Sequence, residues 1–198
     1  MRRACLVAGL ALVPVGWAFA AGGMGMTGHM AGHMIAVAVA APLIAHGMSG
    51  GSLDPASRWP RLVTPMAMML LELLTVWGWH LPALRHMADT LPIAMAVEQL
   101  CFLTAGLLLW SAVIHSPQHA AGIGALLLTS MHMTLLGVLI GLAPRPLYPA
   151  MHHSGALGLD PLTDQQLGGV VMLVVGAASY FLGGLALLST LLRERKAA

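Results

Sequence analysis

Long uncharged runs alternate with short polar connections along this chain. Six apolar stretches stand out, at about residues 4–21, 29–46, 62–81, 91–114, 120–142 and 167–192. Each is close to the ~20 residues that carry a helix across ~30 Å of hydrocarbon. The second is the shortest and contains Pro42, which predicts a kink or a tilt. The longest connection, about 143–166, is stiffened by prolines. The pattern predicts an all-α fold, a polytopic transmembrane helix bundle of five to six spans. The count depends on the first stretch. After Arg2 and Arg3 it runs to Ala18-Phe19-Ala20-Ala21, which suits both a signal peptide and a membrane span. The expected organisation is therefore residues 1–21 as a signal peptide or first span, and 22–198 as one helical membrane domain.

Composition agrees with that reading. The 198 residues are 58% hydrophobic and only 8% charged, against about 25% charged in a soluble domain. Mean hydropathy is +0.83. A net charge of +2 with no basic run gives no footprint for nucleic acid. The two cysteines, Cys5 and Cys101, form no C-x-x-C motif, which argues against thioredoxin-like chemistry and a zinc ribbon. Ten histidines and fifteen methionines are the more informative feature.

Lys and Arg set the orientation. If the six stretches alternate, Arg2, Arg3, Arg58, Arg61, Arg193, Arg195 and Lys196 share one side, and only Arg85 and Arg145 take the other. The first side is then cytoplasmic. His29, His33, His80, His86, His152 and His153 collect on the outer side, while His46, His115 and His119 lie near the cytoplasm. His132 falls inside the fifth stretch, ~15 Å from its outer end.

The candidate chemistry gathers at the outer side. Met24-Gly-Met26-Thr-Gly-His29-Met30-Ala-Gly-His33-Met34 leads into the second stretch. Residues four apart share a helix face, so His29 stacks over His33 and Met30 over Met34. Imidazole with thioether suits copper, and thioether favours Cu(I). Histidine alone also suits Zn(II), Cu(II) and haem iron, and an interfacial helix start without metal is the bland alternative. Trp77-Gly-Trp79-His80-Leu-Pro82 places His80 at similar depth, where Pro82 ends the helix. The metal-ligand candidates are thus His29, Met30, His33, Met34, His80 and His132.

Polar groups around them form a second set. Glu98 sits ~10 Å into the fourth stretch, where a carboxylate is expected to be paired or neutral. A Glu98–His132 hydrogen bond is the economical expectation, either orienting an imidazole or relaying protons; His132 is an equal candidate partner for the other intramembrane acid, Glu72. Asp164 is expected to cap the last helix, and it stands with Tyr148 as a further candidate for ligand support or proton relay. Met151, His152 and His153, in the long outer loop, are a weaker candidate for passing a metal ion onward.

The strings His29-Met30-x-x-His33-Met34, Trp79-His80-x-Pro82, Glu98-x-x-x-Phe102 and His132-Met133-x-Leu-Leu-Gly137 occur in this order. They are followed by Ala143-Pro144-x-Pro146-Leu147-Tyr148 and Asp164-Gln165-Gln166-x-Gly168-Gly169-x-x-Met172. Together they resemble the CtaG-type assembly factors of caa-type cytochrome c oxidase, from about His29 to Met172. The resemblance implies a bacterial inner-membrane protein that is not an enzyme. Such a protein assists maturation of a haem–copper oxidase by handling copper, with apo-cytochrome c oxidase subunits and periplasmic copper chaperones as partners beside the lipid bilayer. Two departures stand out. Gln99 follows Glu98 where the family usually has histidine, and the chain is short for the family.

Four functions compete at this point. A copper-binding assembly factor would hold Cu(I) on His29, His33 and His80, with Met30 or Met34 as soft ligands. A redox protein would hold b-type haem between histidines of two helices. A copper transport protein would need sites continuing to the cytoplasmic side, where His46, Met48 and His115 form no clear ladder. A purely structural oxidase-associated subunit would need no metal at all.

Overall fold

A computed structural model describes residues 1–117, 119–148 and 158–197. Helix α1 (Arg2–Ala21) is followed by α2 (Gly25–Met34), which passes through a π-helical stretch (Ile35–Ala40) into α3 (Ala41–Met48). One turn, α4 (Pro55–Arg58), precedes α5 (Pro65–Trp79) and α6 (Pro82–Thr90). The long helices α7 (Pro92–His115), α8 (His119–Gly141) and α9 (Pro161–Ala197) complete the bundle. The described residues contain no strand. The protein is an all-α polytopic helix bundle. Five helical segments are long and apolar enough to cross a membrane, with Gly25–Met48 counted as one.

Prolines set the breaks. Pro65, Pro82 and Pro92 each stand in the first turn of a helix, where the missing N–H is not needed. Pro82 also drives Leu81 into an extended conformation (φ −64°, ψ 135°). The stretch expected at 62–81 therefore stops at Trp79, and α6 leaves it at 70°. Pro42 acts differently. Ala41 N–H bonds Ala36 O in the π register, and Pro42 has no N–H for the next carbonyl, Val37 O. That carbonyl accepts instead from Trp110 Nε1 (3.2 Å), and Ala38 O accepts from Ser179 Oγ (2.7 Å). A defect in one helix thus binds α7 and α9 to it.

The core contains the row Met26, Met30 and Met34 on α2, joined by Phe102, Leu109, Met133, Met172 and Tyr180. Exposed leucines such as Leu70, Leu74, Leu135 and Leu182 form the outer surface, as expected where lipid replaces water. Helices α8 and α9 pack backbone to backbone: a Cβ built on Gly169 would lie 2.6 Å from Gly141 N. Small residues permit this approach between membrane helices.

The string Asp164 to Gly169 is a structural strap. Asp164 does not cap its own helix, as the sequence leads one to expect; Asp160 does, accepting from Leu162 N and Thr163 N. The Asp164 carboxylate instead accepts from Met26 N (2.6 Å) and Thr27 N (3.3 Å), across the bundle. It caps α2, whose own N-cap position is Met24 and offers no side-chain oxygen. Gln165 accepts from Leu147 N and donates to Ile140 O, pinning the chain after α8 to the end of that helix. Gly168 lies against Met26 O.

Candidate functional site

Two turns of α2 and the end of α5 bring three imidazoles together near one end of the bundle. His29 and His33 follow one another on α2, and His80 caps the C-terminus of α5 where Pro82 stops it. Ring centroids are 5.3 Å apart for His29–His80, 5.2 Å for His33–His80 and 6.3 Å for His29–His33. All three are buried. Phe102 of α7 stacks on His33 at 4.0 Å and stands 6.1 Å from His29 and 6.0 Å from His80.

Each ring has a different hydrogen-bonding state. His80 Nδ1 lies 2.6 Å from Val76 O, and a carbonyl can only accept, so Nδ1 carries the proton. Its Nε2 is then an open lone pair without a partner among the described residues. This is the arrangement by which a carbonyl orients a ligating imidazole. Tyr148 Oη donates to His80 O (3.0 Å), fixing the backbone of the same residue; burial pushes the Tyr148 phenol up to about 12, so it stays a donor. Neither nitrogen of His33 has a partner among the described residues. Buried polar groups are nearly always bonded; His33 and His80 share this exception with both nitrogens of His132 and the side-chain amide of Gln99.

His29 is engaged by a residue that the hydropathy pattern places in a loop. Arg85 of α6 is buried and donates from Nη1 to His29 Nδ1 (2.6 Å) and to Glu98 Oε1 (2.5 Å). Its Nη2 and Nε bond Asp89 Oδ1 at 2.6 and 3.0 Å. Glu98 Oε2 stands 3.6 Å from His29 Nδ1. The expected Glu98–His132 bond is therefore replaced: Glu98 pairs with Arg85 and His29, because α6 folds back over the cluster. The signal available in the sequence is the Arg85/Asp89 spacing, four apart on a helix face.

The remaining candidates take different places, and His132 lies close enough to His33 to interact with it electrostatically. His132 is buried on α8, and neither of its nitrogens has a hydrogen-bond partner among the described residues. It does not meet Glu72, whose Oε1 accepts from Tyr180 Oη on α9 instead. Met34 turns away from the imidazole row: its Sδ and the side chain of Met133 both face Gly176 on α9. Met26, on the same α2 row, meets Gly168, and Met30 lies between them, fully buried. Met151, His152 and His153 lie outside the described residues.

Three imidazoles on one tetrahedral ion, with bonds of ~2 Å, put ring centroids roughly 5 Å apart. Two of the three spacings match and the third is about 1 Å longer. Among the described residues, no group of three or more His, Cys, Asp or Glu side chains stands in a geometry that could hold a metal ion, and His29 is engaged by Arg85.

At the opposite end lies a second polar knot that the sequence pattern does not announce. Asp54, buried before α4, accepts from Gly50 N (2.9 Å), Ser57 Oγ (2.9 Å) and Ser111 Oγ (2.6 Å), and pairs with His115 Nε2 at 2.9 Å. Burial works to raise its carboxyl, but these bonds and the His115 charge outweigh it and hold the group below the usual range. Every oxygen is used, and the knot joins the α3–α4 connection to α7.

No curated protein and no solved structure matches the chain significantly. Residues 1–194 match the family described as Cytochrome c oxidase caa3 assembly factor. With its several membrane-spanning helices and that match along nearly all of its length, the chain belongs to the cytochrome c oxidase caa3 assembly factor family.

Proposed function

We propose that this protein is a copper-handling assembly factor of the bacterial inner membrane. It takes Cu(I) at the periplasmic side on His33, His80 and His29 and yields it by ligand exchange to an apo-oxidase subunit. Copper is its cargo, periplasmic copper chaperones are the natural donors, and no bond of a substrate is broken, so it is not an enzyme.

The observation that carries this reading is the buried trio of imidazoles with open nitrogens on His33 and His80. Arg85 faces two carboxylates, Asp89 and Glu98, so its charge is already paired within the cluster. The buried methionines Met26, Met30 and Met34 belong to the packed core, and Met34 faces α9 and not the imidazoles. The haem alternative is disfavoured by Phe102 and Arg85, which fill the flanks of the rings where a macrocycle would lie. The outward orientation rests on the Lys and Arg distribution: the cluster lies at the end opposite Arg58, Arg61 and Arg193.

The test is metal analysis of the purified protein in detergent after anaerobic Cu(I) loading, with its visible spectrum. About one copper per chain, lost in His33→Ala/His80→Ala and without a Soret band, is expected. A Soret band, or no copper retained by a folded protein, overturns the proposal.

A further inference from the structure

Arg85 holds the one imidazole of the trio that would have to change partners. Its guanidinium is always charged and donates only. At 2.6 Å it occupies the Nδ1 lone pair of His29, so a neutral His29 carries its proton on Nε2. Neither nitrogen then offers a lone pair to an ion. His80 and His33 are unlike it: both keep open nitrogens. The guanidinium is also a cation inside a buried cluster, 2.5 Å from Glu98 Oε1, where an entering metal ion would feel its repulsion directly.

We infer that Arg85 is a built-in competitor of the cargo ion, and that the Arg85–His29 contact and ligation by His29 exclude one another. This rests on the copper reading above and adds how the site is regulated. In the closed state, Arg85 plugs His29 and only His33 and His80 are available. When the ion takes His29, Arg85 withdraws toward Asp89, which already binds its Nε and Nη2 and sits nearer the surface, 14% exposed against 4%. Return of Arg85 to His29 removes one ligand and restores the repulsion. The same residue therefore lowers affinity and drives release, which a donor of copper needs and a storage site does not. No proton or electron is exchanged in this step: as the bond from His29 to the ion forms, Arg85 Nη1 gives up His29 and with it Glu98 Oε1, while Asp89 keeps Nε and Nη2.

The test is a double-mutant cycle between Arg85 and His29, read as Cu(I) affinity in anaerobic competition with a chromophoric Cu(I) chelator. The proteins are the full chain in detergent: parent, Arg85→Gln, His29→Ala and the double variant. Arg85→Gln keeps a donor for Glu98 and removes the charge. Competition predicts at least tenfold tighter binding by Arg85→Gln. It also predicts that His29→Ala costs at least tenfold in the Arg85→Gln background but less than about threefold in the parent. Should Arg85→Gln fail to fold by circular dichroism, Arg85→Lys carries the same cycle, with tighter binding of smaller size. Equal or weaker Cu(I) binding by the folded Arg85 variant, with binding in the parent intact, overturns the competitor role and leaves the copper reading standing. Absence of binding in parent and variant alike overturns both.

Discussion

Replacing Asp164 tests whether the imidazole row is positioned from outside its own helix. In Asp164→Ala, the first-turn amides of Met26 and Thr27 lose their acceptors in a site where Asp164 itself is only 1% exposed. Loss of an N-cap side chain costs ~0.5–2 kcal/mol, and hydrogen bonds to a charged group contribute ~1.5–3 kcal/mol. The 2.6 Å bond to Met26 N falls at the strong end, so Asp164→Ala should cost about 2–3 kcal/mol. Asp164→Asn keeps an acceptor but loses the attraction between carboxylate and helix N-terminus, and should cost about 1 kcal/mol. The assay is reversible unfolding in mixed micelles, with amide hydrogen exchange resolved over residues 24–30. A loss of about 2 kcal/mol lowers the folding equilibrium roughly 30-fold. Exchange should accelerate at Met26 and Thr27 first. His29 lies less than one helical turn beyond Thr27, so Cu(I) affinity should fall as well. A stability change under ~0.5 kcal/mol, with unchanged exchange at the two amides, would refute the argument that α2 is capped across the bundle.

Other expectations follow from the same contacts. Tyr180→Phe removes the donor to Glu72 Oε1 deep in the bundle and should cost ~1.5–3 kcal/mol in the same unfolding assay, more than Glu72→Gln. Gly169→Ala should cost ~1–3 kcal/mol, because the new Cβ meets backbone of α8 that cannot step aside. Gly124→Ala, with nothing within 4 Å, should instead be neutral or stabilising by up to ~1 kcal/mol. Asp54 gives a pH signature. Its carboxyl is held low in the folded protein, so its contribution is fully present above its unfolded value near ~4 and is lost as pH falls through the lower folded value. The stability gap between parent and Asp54→Asn should be flat above about pH 5 and close below about pH 4; a gap that stays constant down to about pH 3 contradicts it.

Much of the architecture was legible because lipid imposes it. Uncharged runs of about twenty residues can only be helices there, and Pro82 marked the end of α5 correctly, since a missing N–H and a crowded Leu81 act locally. The meeting of His29, His33 and His80 fits the similar depth expected from counting spans. What failed were partner assignments. Glu98 went to Arg85 and not His132, Glu72 to Tyr180, and Asp164 to a helix 138 residues away in sequence. Each depends on which faces of two helices meet, and hydropathy carries no information about rotation when a helix is apolar all round.

Hydropathy runs, proline positions and charge bias are properties of neighbouring residues. They suffice for the apolar helices, the irregularity near Pro42, and the shared depth of His29, His33 and His80. Which partners those side chains take was decided by packing. The bundle folded α6 back so that a loop arginine became the charge at the centre of the cluster. It turned Met34 toward α9 and supplied the missing cap of α2 from the start of α9. Those outcomes depend on interhelical contact, where a buried donor takes whichever acceptor the bundle brings within about 3 Å, however distant in sequence.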